Sequence, residues 1–165
     1  MPEVIVDAHV PGARAGEVFD RLRDFAAYPR HCSAVRQVTV TDRGGGVLDS
    51  DWSVDFRGGV LRWSERDHVD RAALGIDFVQ TNGDFERFEG SWRVRAHDGA
   101  VTVRFTAAFD LGMPTLAAVL DPIAREALAE SVGLILRGLL GDRITVTVPD
   151  GPEGEGVLPA PRVSA

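Results

Sequence analysis

The sequence predicts an α+β fold: a curved antiparallel β-sheet of about seven strands wrapped around one long C-terminal helix, with one or two short helices after the first strand. Three observations carry this. From Val35 to Phe109, strand-like segments follow one another through short Gly-, Asn- or Asp-bearing links, so neighbouring strands run antiparallel. After Pro114 the apolar period changes from two to about 3.6. The helix that results is the only element long enough to cover one face of the sheet.

Taken in order, Glu3–Val10 (EVIVDAHV) alternates as a strand and Pro11-Gly12 ends it. Ala15–Phe25 carries Val18, Phe19, Leu22 and Phe25 at helical spacing. Tyr28-Pro29 breaks that helix, because proline lacks an N–H and pushes its predecessor out of the α region. A short helix or turn fits Arg30–Ser33. Strands follow over Val35–Thr41, Val47–Arg57, Val60–His68, Leu74–Gln80, Phe85–Arg95 and Val101–Phe109, with turns at Gly44–Gly46, Gly58-Gly59, Asp70-Arg71, Asn82-Gly83 and Asp98-Gly99. Beyond Pro114, Leu116, Leu120, Ile123, Ala127, Leu128, Ser131, Ile135 and Leu139 form one stripe of a helix roughly 37 Å long, which Pro122 should kink or restart. Gly133 and Gly138 would permit close approach to a sheet. Thr145–Val148 alternates over too few residues to decide a strand. The chain therefore divides into one domain over 1–148 and a disordered Pro/Gly-rich tail over 149–165, and a chain ending near Asp142 is expected to keep its fold.

Composition narrows the function. A 165-residue chain with 44% hydrophobic and 26% charged residues is an ordinary globular domain. Its net charge of −7 lacks the basic footprint that nucleic acid or an anionic membrane surface requires. All 18 basic residues are arginine, which removes Schiff-base chemistry and the phosphate-loop lysine. A single cysteine, Cys32, makes no internal disulfide and no multi-cysteine metal site. Neither a signal-peptide pattern nor an apolar run near ~20 residues is present, so the expected location is cytoplasmic. No metal or other cofactor is expected: His9 and His97 have no partners at metal-ligand spacing, and His31, near Cys32 and Tyr28, is read as an exposed loop histidine or one at a cavity mouth.

The segment Val60–His68, VLRWSERDH, holds the sharpest question. Its even positions include Arg62, Ser64, Arg66 and His68; its odd positions are Leu61, Trp63, Glu65 and Asp67. Hydrophobicity favours the odd face inward, yet that face also carries two carboxylates. The preceding strand puts Leu48, Trp52, Val54 and Phe56 on one parity and Asp49, Asp51 and Asp55 on the other, outer one, where Glu65 and Asp67 are expected to join them, which turns Arg62 and Arg66 inward.

The layout resembles the helix-grip fold of the START-like (SRPBCC) superfamily, which includes polyketide aromatase/cyclases, coenzyme-Q-binding proteins and the birch-pollen-allergen type. Three stretches carry the resemblance: Asp24–Pro29 (DFAAYP) leading into Val35–Val40, Asn82–Trp92 (NGDFERFEGSW) with Asp84 in place of a proline, and Ser64-Glu65-Arg66. The last is similar to a Ser-X-Arg element whose arginine lies in the pocket of aromatase/cyclases. Where those enzymes often carry a tyrosine after the aromatic-Pro pair, this chain has Val35; Tyr28 is its only tyrosine.

The resemblance implies a cavity between sheet and C-terminal helix and turns the even face of Val60–His68 inward. A solvated charged strand with Trp63 buried is the alternative. On the resemblance, Arg66 would hold a developing oxyanion, and His68 or Tyr28 would transfer protons. Arg62, Ser64 and Gln80 would anchor the ligand among Trp52, Val54, Phe56, Phe78, Phe88, Trp92, Phe105 and Phe109. The implied function is a polyketide cyclase/aromatase acting on a hydrophobic poly-ketone or aromatic substrate, free or tethered to a carrier protein, by aldol cyclisation and dehydration. The alternative is a non-catalytic carrier for a quinone or other hydrophobic aromatic. Either would be a monomer or homodimer.

Overall fold

In the computed structural model, which describes residues 1–149 and 155–157, the chain forms one antiparallel sheet gripping a long helix. β1 (Glu3–Pro11) leads into α1 (Ala15–Arg23), a 3-10 turn at Phe25–Ala27 and the single-turn α2 (Tyr28–His31). Six strands follow: β2 (Val35–Gly44), β3 (Val47–Phe56), β4 (Gly59–Asp70), β5 (Gly75–Gly83), β6 (Arg87–His97) and β7 (Ala100–Asp110). After a 3-10 turn at Pro114–Leu116 comes α3 (Ala117–Leu140), then β8 (Thr145–Pro149) and β9 (Glu155–Val157). The sheet order is β2-β3-β4-β5-β6-β7-β1-β8-β9. The expected α+β helix-grip architecture is therefore present, with two more strands than the seven expected.

The core lies between the concave face of the sheet and one side of α3. Alternation puts Val4, Val6 and Ala8 of β1 and Val101, Val103 and Phe105 of β7 inward. Leu128, Val132, Ile135, Leu136 and Leu139 of α3 meet that layer. Val18, Phe19 and Leu22 pin α1 to it, and Pro29 sits in the first turn of α2, where a missing N–H costs nothing.

Two expectations about α3 change. The helix continues through Pro122, whose missing N–H affects only the carbonyl of Ala118 near the exposed start. The buried face begins at Ala124, not Leu116: Leu116, Val119 and Ile123 are more than half exposed. The predicted phase holds, but the first two turns lie beyond the core. Gly138 approaches the end of α2 and not the sheet, since a Cβ there would overlap the His31 carbonyl oxygen and lie 2.7 Å from Cys32 Sγ. The Cys32 thiol beside it donates to the Ile135 carbonyl at 3.4 Å, and burial pushes that thiol up to about 11.

The tail expected from residue 149 falls mostly outside the described residues. Within it, Pro149 closes β8, and Glu155–Val157 pair with Thr147–Pro149. Val146 is fully buried and Ile144 nearly so, so the segment after Asp142 is part of the packed domain.

Candidate functional site

The β3–β4 hairpin decides which face of β4 looks inward. Its turn is Arg57-Gly58, both at positive φ (48° and 78°), the two-residue geometry that matches strand twist. The resulting register pairs Trp52 with Trp63, Ser50 with Glu65 and Leu48 with Asp67 on the concave face. Asp49 pairs with Arg66, Asp51 with Ser64 and Ser53 with Arg62 on the convex face. The expectation that the arginines point inward is therefore corrected.

Arg66 lies on the outer surface, its Nε and Nη2 donating to Asp49 at 2.9 and 3.1 Å. Arg43 donates to the same carboxylate at 2.6 Å, and hydrogen bonds from the two guanidiniums hold Asp49 down to about 2. Ser64 donates to Asp51 on that face. Arg62 is exposed, its backbone N–H donating to Asp84 Oδ2 at 2.8 Å, and His68 is exposed beside Val47 and Asp77. None of Arg62, Ser64, Arg66 and His68 reaches the interior.

The physical reason is an asymmetry between the charged groups. A guanidinium cannot shed its proton, whereas a carboxyl taken out of water can keep one. Turning the odd face inward also partly buries Leu61 and Trp63 against the core. The Trp63 indole stacks on Trp52 with centroids 5.7 Å apart and planes 2° from parallel.

Beneath α3 this face walls a cavity of about 70 Å³. Trp52, Val54, Phe56, Phe78, Phe88, Trp92 and Phe105 line it, as does Tyr28. Two further expected residues do not: Phe109 is fully buried in the core behind Phe85, and the amide of Gln80 donates to the Phe85 carbonyl at 2.9 Å. The Tyr28 hydroxyl donates to the Leu22 carbonyl at 2.6 Å, and burial pushes its pKa well up, so it faces the end of α1 as a neutral donor.

Leu61, Trp63 and Glu65 of β4, Phe25 of the 3-10 turn, Phe85 of the β5–β6 link and Leu128, Ser131, Val132 and Ile135 of α3 complete the wall; all were missed as site residues. Among the described residues, Glu65 is the only carboxyl in the wall. It is 6% exposed, and its Oε1 accepts a hydrogen bond from Trp63 Nε1 at 2.7 Å. Burial, then the neighbouring Asp67, raises its pKa well above the usual carboxylate range. The signal that would have found Leu61, Trp63 and Glu65 is the hairpin register, in which they oppose Val54, Trp52 and Ser50.

At one side of the cavity, a surface depression of about 520 Å³ lies between the hairpin turn and α3, sharing Phe56 and Ser131 with the cavity wall. The Arg57–Glu130 ion pair, 3.4 Å long, spans it. Among the described residues no group of three His, Cys, Asp or Glu is placed to hold a metal ion. No helix there is long and apolar enough to cross a membrane.

An antiparallel sheet wrapped on a C-terminal helix, with an aromatic cavity between them, defines a helix-grip protein of ligand-binding type. The chain belongs to the polyketide cyclase / dehydrase and lipid transport family, which matches residues 11–132. Among solved structures it is similar to TTHA0849 from Thermus thermophilus, with 27% identity and a TM-score of 0.77 over 84% of this chain and 94% of that one. The Zhui aromatase/cyclase from Streptomyces sp. R1128 shares the fold at 19% identity and TM-score 0.68, over 83% of this chain and 93% of that one. A START superfamily protein from Mycobacterium smegmatis does so at 17% and 0.66, over 82% and 94%. A search of curated proteins finds no match.

Proposed function

We propose that the protein takes a flat, hydrophobic poly-ketone or aromatic substrate into the cavity between sheet and α3 and promotes its aldol cyclisation and dehydration. The observation that carries this reading is the wall itself: aromatic rings surround a space into which one polar acid, Glu65, projects. Stacked and edge-on rings bind a planar conjugated ligand without demanding a shape beyond its flatness. The family match and the fold shared with an aromatase/cyclase support the reaction class. At about 70 Å³ the closed cavity is smaller than the ~300 Å³ of a typical ligand pocket. Binding therefore requires the wall to part, and the depression beneath the Arg57–Glu130 pair adjoins it at Phe56 and Ser131.

One observation favours a carrier instead: with Arg62 and Arg66 outside, no cation among the described residues lines the cavity to hold an enolate oxygen. Both readings are tested together. All three tryptophans of the chain line the cavity, so 1,4-naphthoquinone should quench their emission saturably. Arg66→Ala should leave the quenching unchanged. A linear poly-β-ketone thioester should then give a cyclised, dehydrated product faster than buffer does. Quenching without turnover would establish the carrier, and no saturable quenching would overturn both readings.

A further inference from the structure

The inner face of β4 buries a second acid behind the first. Asp67 is fully buried two residues along from Glu65, on the same face of the strand, and its carboxyl is one of the groups that raise the Glu65 pKa. Two carboxylates buried side by side repel each other, and a proton on one of them removes that repulsion.

The remaining partners say which. Trp52 Nε1 donates to Ser50 Oγ at 2.8 Å, which turns the Ser50 hydroxyl hydrogen toward Asp67 Oδ2 at 2.6 Å. That chain of donors runs in one direction and ends on an anion. Asp67 Oδ1, also buried, has no hydrogen-bond partner. Glu65, the neighbouring acid on this face, would supply that hydrogen if protonated, with its Oε1 still bonded to Trp63 at 2.7 Å. An orphaned buried carboxylate oxygen would otherwise cost the full penalty of its desolvation.

We infer that Glu65 and Asp67 hold one proton between them, that Glu65 passes protons to and from a carbonyl ligand in the cavity, and that Asp67 is the positioning residue that keeps the pair at a single negative charge. The inference rests on the reading of the cavity as the ligand site. Glu65 reaches the cavity and Asp67 does not, which sets their roles apart.

The groups around the pair leave the proton to it. Across the cavity, Tyr28 is neutral and committed to Leu22; α3 presents Leu128, Ser131, Val132 and Ile135, none ionisable; β5 presents the uncharged Gln80 opposite Glu65. Asp49 and His68 belong to the outer face.

The pair suits enolisation and its reversal. The singly charged pair takes a proton from the carbon next to a ligand carbonyl: a C–H bond breaks, a carboxyl O–H forms, and the electron pair is left as the enolate. The enolate carbon then attacks a second carbonyl of the same chain, and the alkoxide formed takes the extra proton back. For dehydration, a second carbon-bound proton passes to the pair, the C–O bond breaks, and the departing hydroxyl takes that proton to leave as water. The pair ends each cycle with its one proton, and no oxidant or reductant enters.

The test uses the full chain and α-tetralone, a flat aromatic ketone with an exchangeable CH₂ beside its carbonyl. Binding is followed by tryptophan quenching, and proton transfer by NMR of deuterium uptake at that CH₂ in D₂O. The protein should accelerate uptake. Glu65→Gln should retain quenching and lose ~10²-fold or more of the acceleration. Asp67→Asn should retain quenching and move the pH profile of exchange. Carboxyl ¹³C NMR of the unmodified chain should show one proton kept by the pair at pH 7, which holds even where a variant fails to fold. Saturable quenching with exchange at the buffer rate, or Glu65→Gln exchanging like the parent, would overturn the proton transfer and leave the cavity reading standing. Two ionised carboxyls at pH 7 would overturn the shared proton. Absence of quenching by both α-tetralone and 1,4-naphthoquinone would overturn the cavity reading and the proton transfer with it.

Discussion

Glu65 enters the interior beside Trp63 while Arg66, its neighbour in sequence, stays in water bonded to Asp49, and this arrangement writes itself into the pH dependence of stability. Burial raises the Glu65 pKa in the folded state above its unfolded value of ~4.3. Between those two values the folded state holds a proton that the unfolded state has released, so stability falls as pH rises through that window. Asp49 acts in the opposite sense: held down to about 2 by Arg66 and Arg43, it favours the folded state above its unfolded pKa of ~3.9, and that contribution is lost as pH falls toward 2. Urea unfolding across pH 3–8 should therefore show stability climbing to a maximum near ~5 and declining above it. Glu65→Gln should flatten the alkaline decline and leave the acid limb in place. Parallel alkaline limbs for the parent and the variant would contradict the assignment.

At the level of single elements, the inward residues of β4 that sequence reasoning missed were present in the spacing of one hairpin. Cross-strand partners share a face, and a two-residue turn pairs even positions of β3 with odd positions of β4. That parity holds whether Arg57-Gly58 or Gly58-Gly59 makes the turn. With Trp52 and Val54 read correctly as inward, Trp63 and Glu65 had to follow, and Arg66 had to meet Asp49. The three-residue likeness at Ser64–Arg66 pointed the other way, and it carried no register information. The cavity aromatics on other strands were legible because each follows simple alternation.

What no pattern reveals is how neighbouring strands accommodate a ring. Gly90 on β6 pairs with Phe78 on β5; a Cβ at Gly90 would overlap the Thr106 carbonyl oxygen and lie 2.8 Å from Phe78 Cζ. Its bare backbone lets the Phe78 ring lie against β6 and stack on Phe105, with centroids 5.8 Å apart. Gly90→Ala should cost ~1–3 kcal/mol or more in urea unfolding and weaken naphthoquinone quenching, because the cavity floor must shift. An alanine variant within ~0.5 kcal/mol of the parent would show that β6 gives way without strain.

At the scale of the whole molecule, the sheet closes around its first strand. β1 lies between β7, which precedes α3, and β8, which follows it, so the chain leaves the sheet to form the gripped helix and then returns to β1's other edge. The return was hard to read in sequence because four alternating residues, Thr145–Val148, give too short a pattern. Its energetic weight is plain in the structure: Val146 and Ile144 are buried, and each represents ~1.5–3 kcal/mol of apolar burial. Removing β8 would also expose the backbone edge of β1 over Asp7–His9. We therefore separate two truncations by thermal melting. A chain ending at Pro149 keeps both buried side chains and the β1–β8 pairing, and should melt within a few degrees of the full chain. A chain ending at Asp142 loses all of these, and should melt ~10 °C lower or more, or fail to accumulate as soluble protein. Equal melting of the two chains would show that β8 adds nothing to the domain, and a large loss on ending at Pro149 would extend the domain into the residues beyond it.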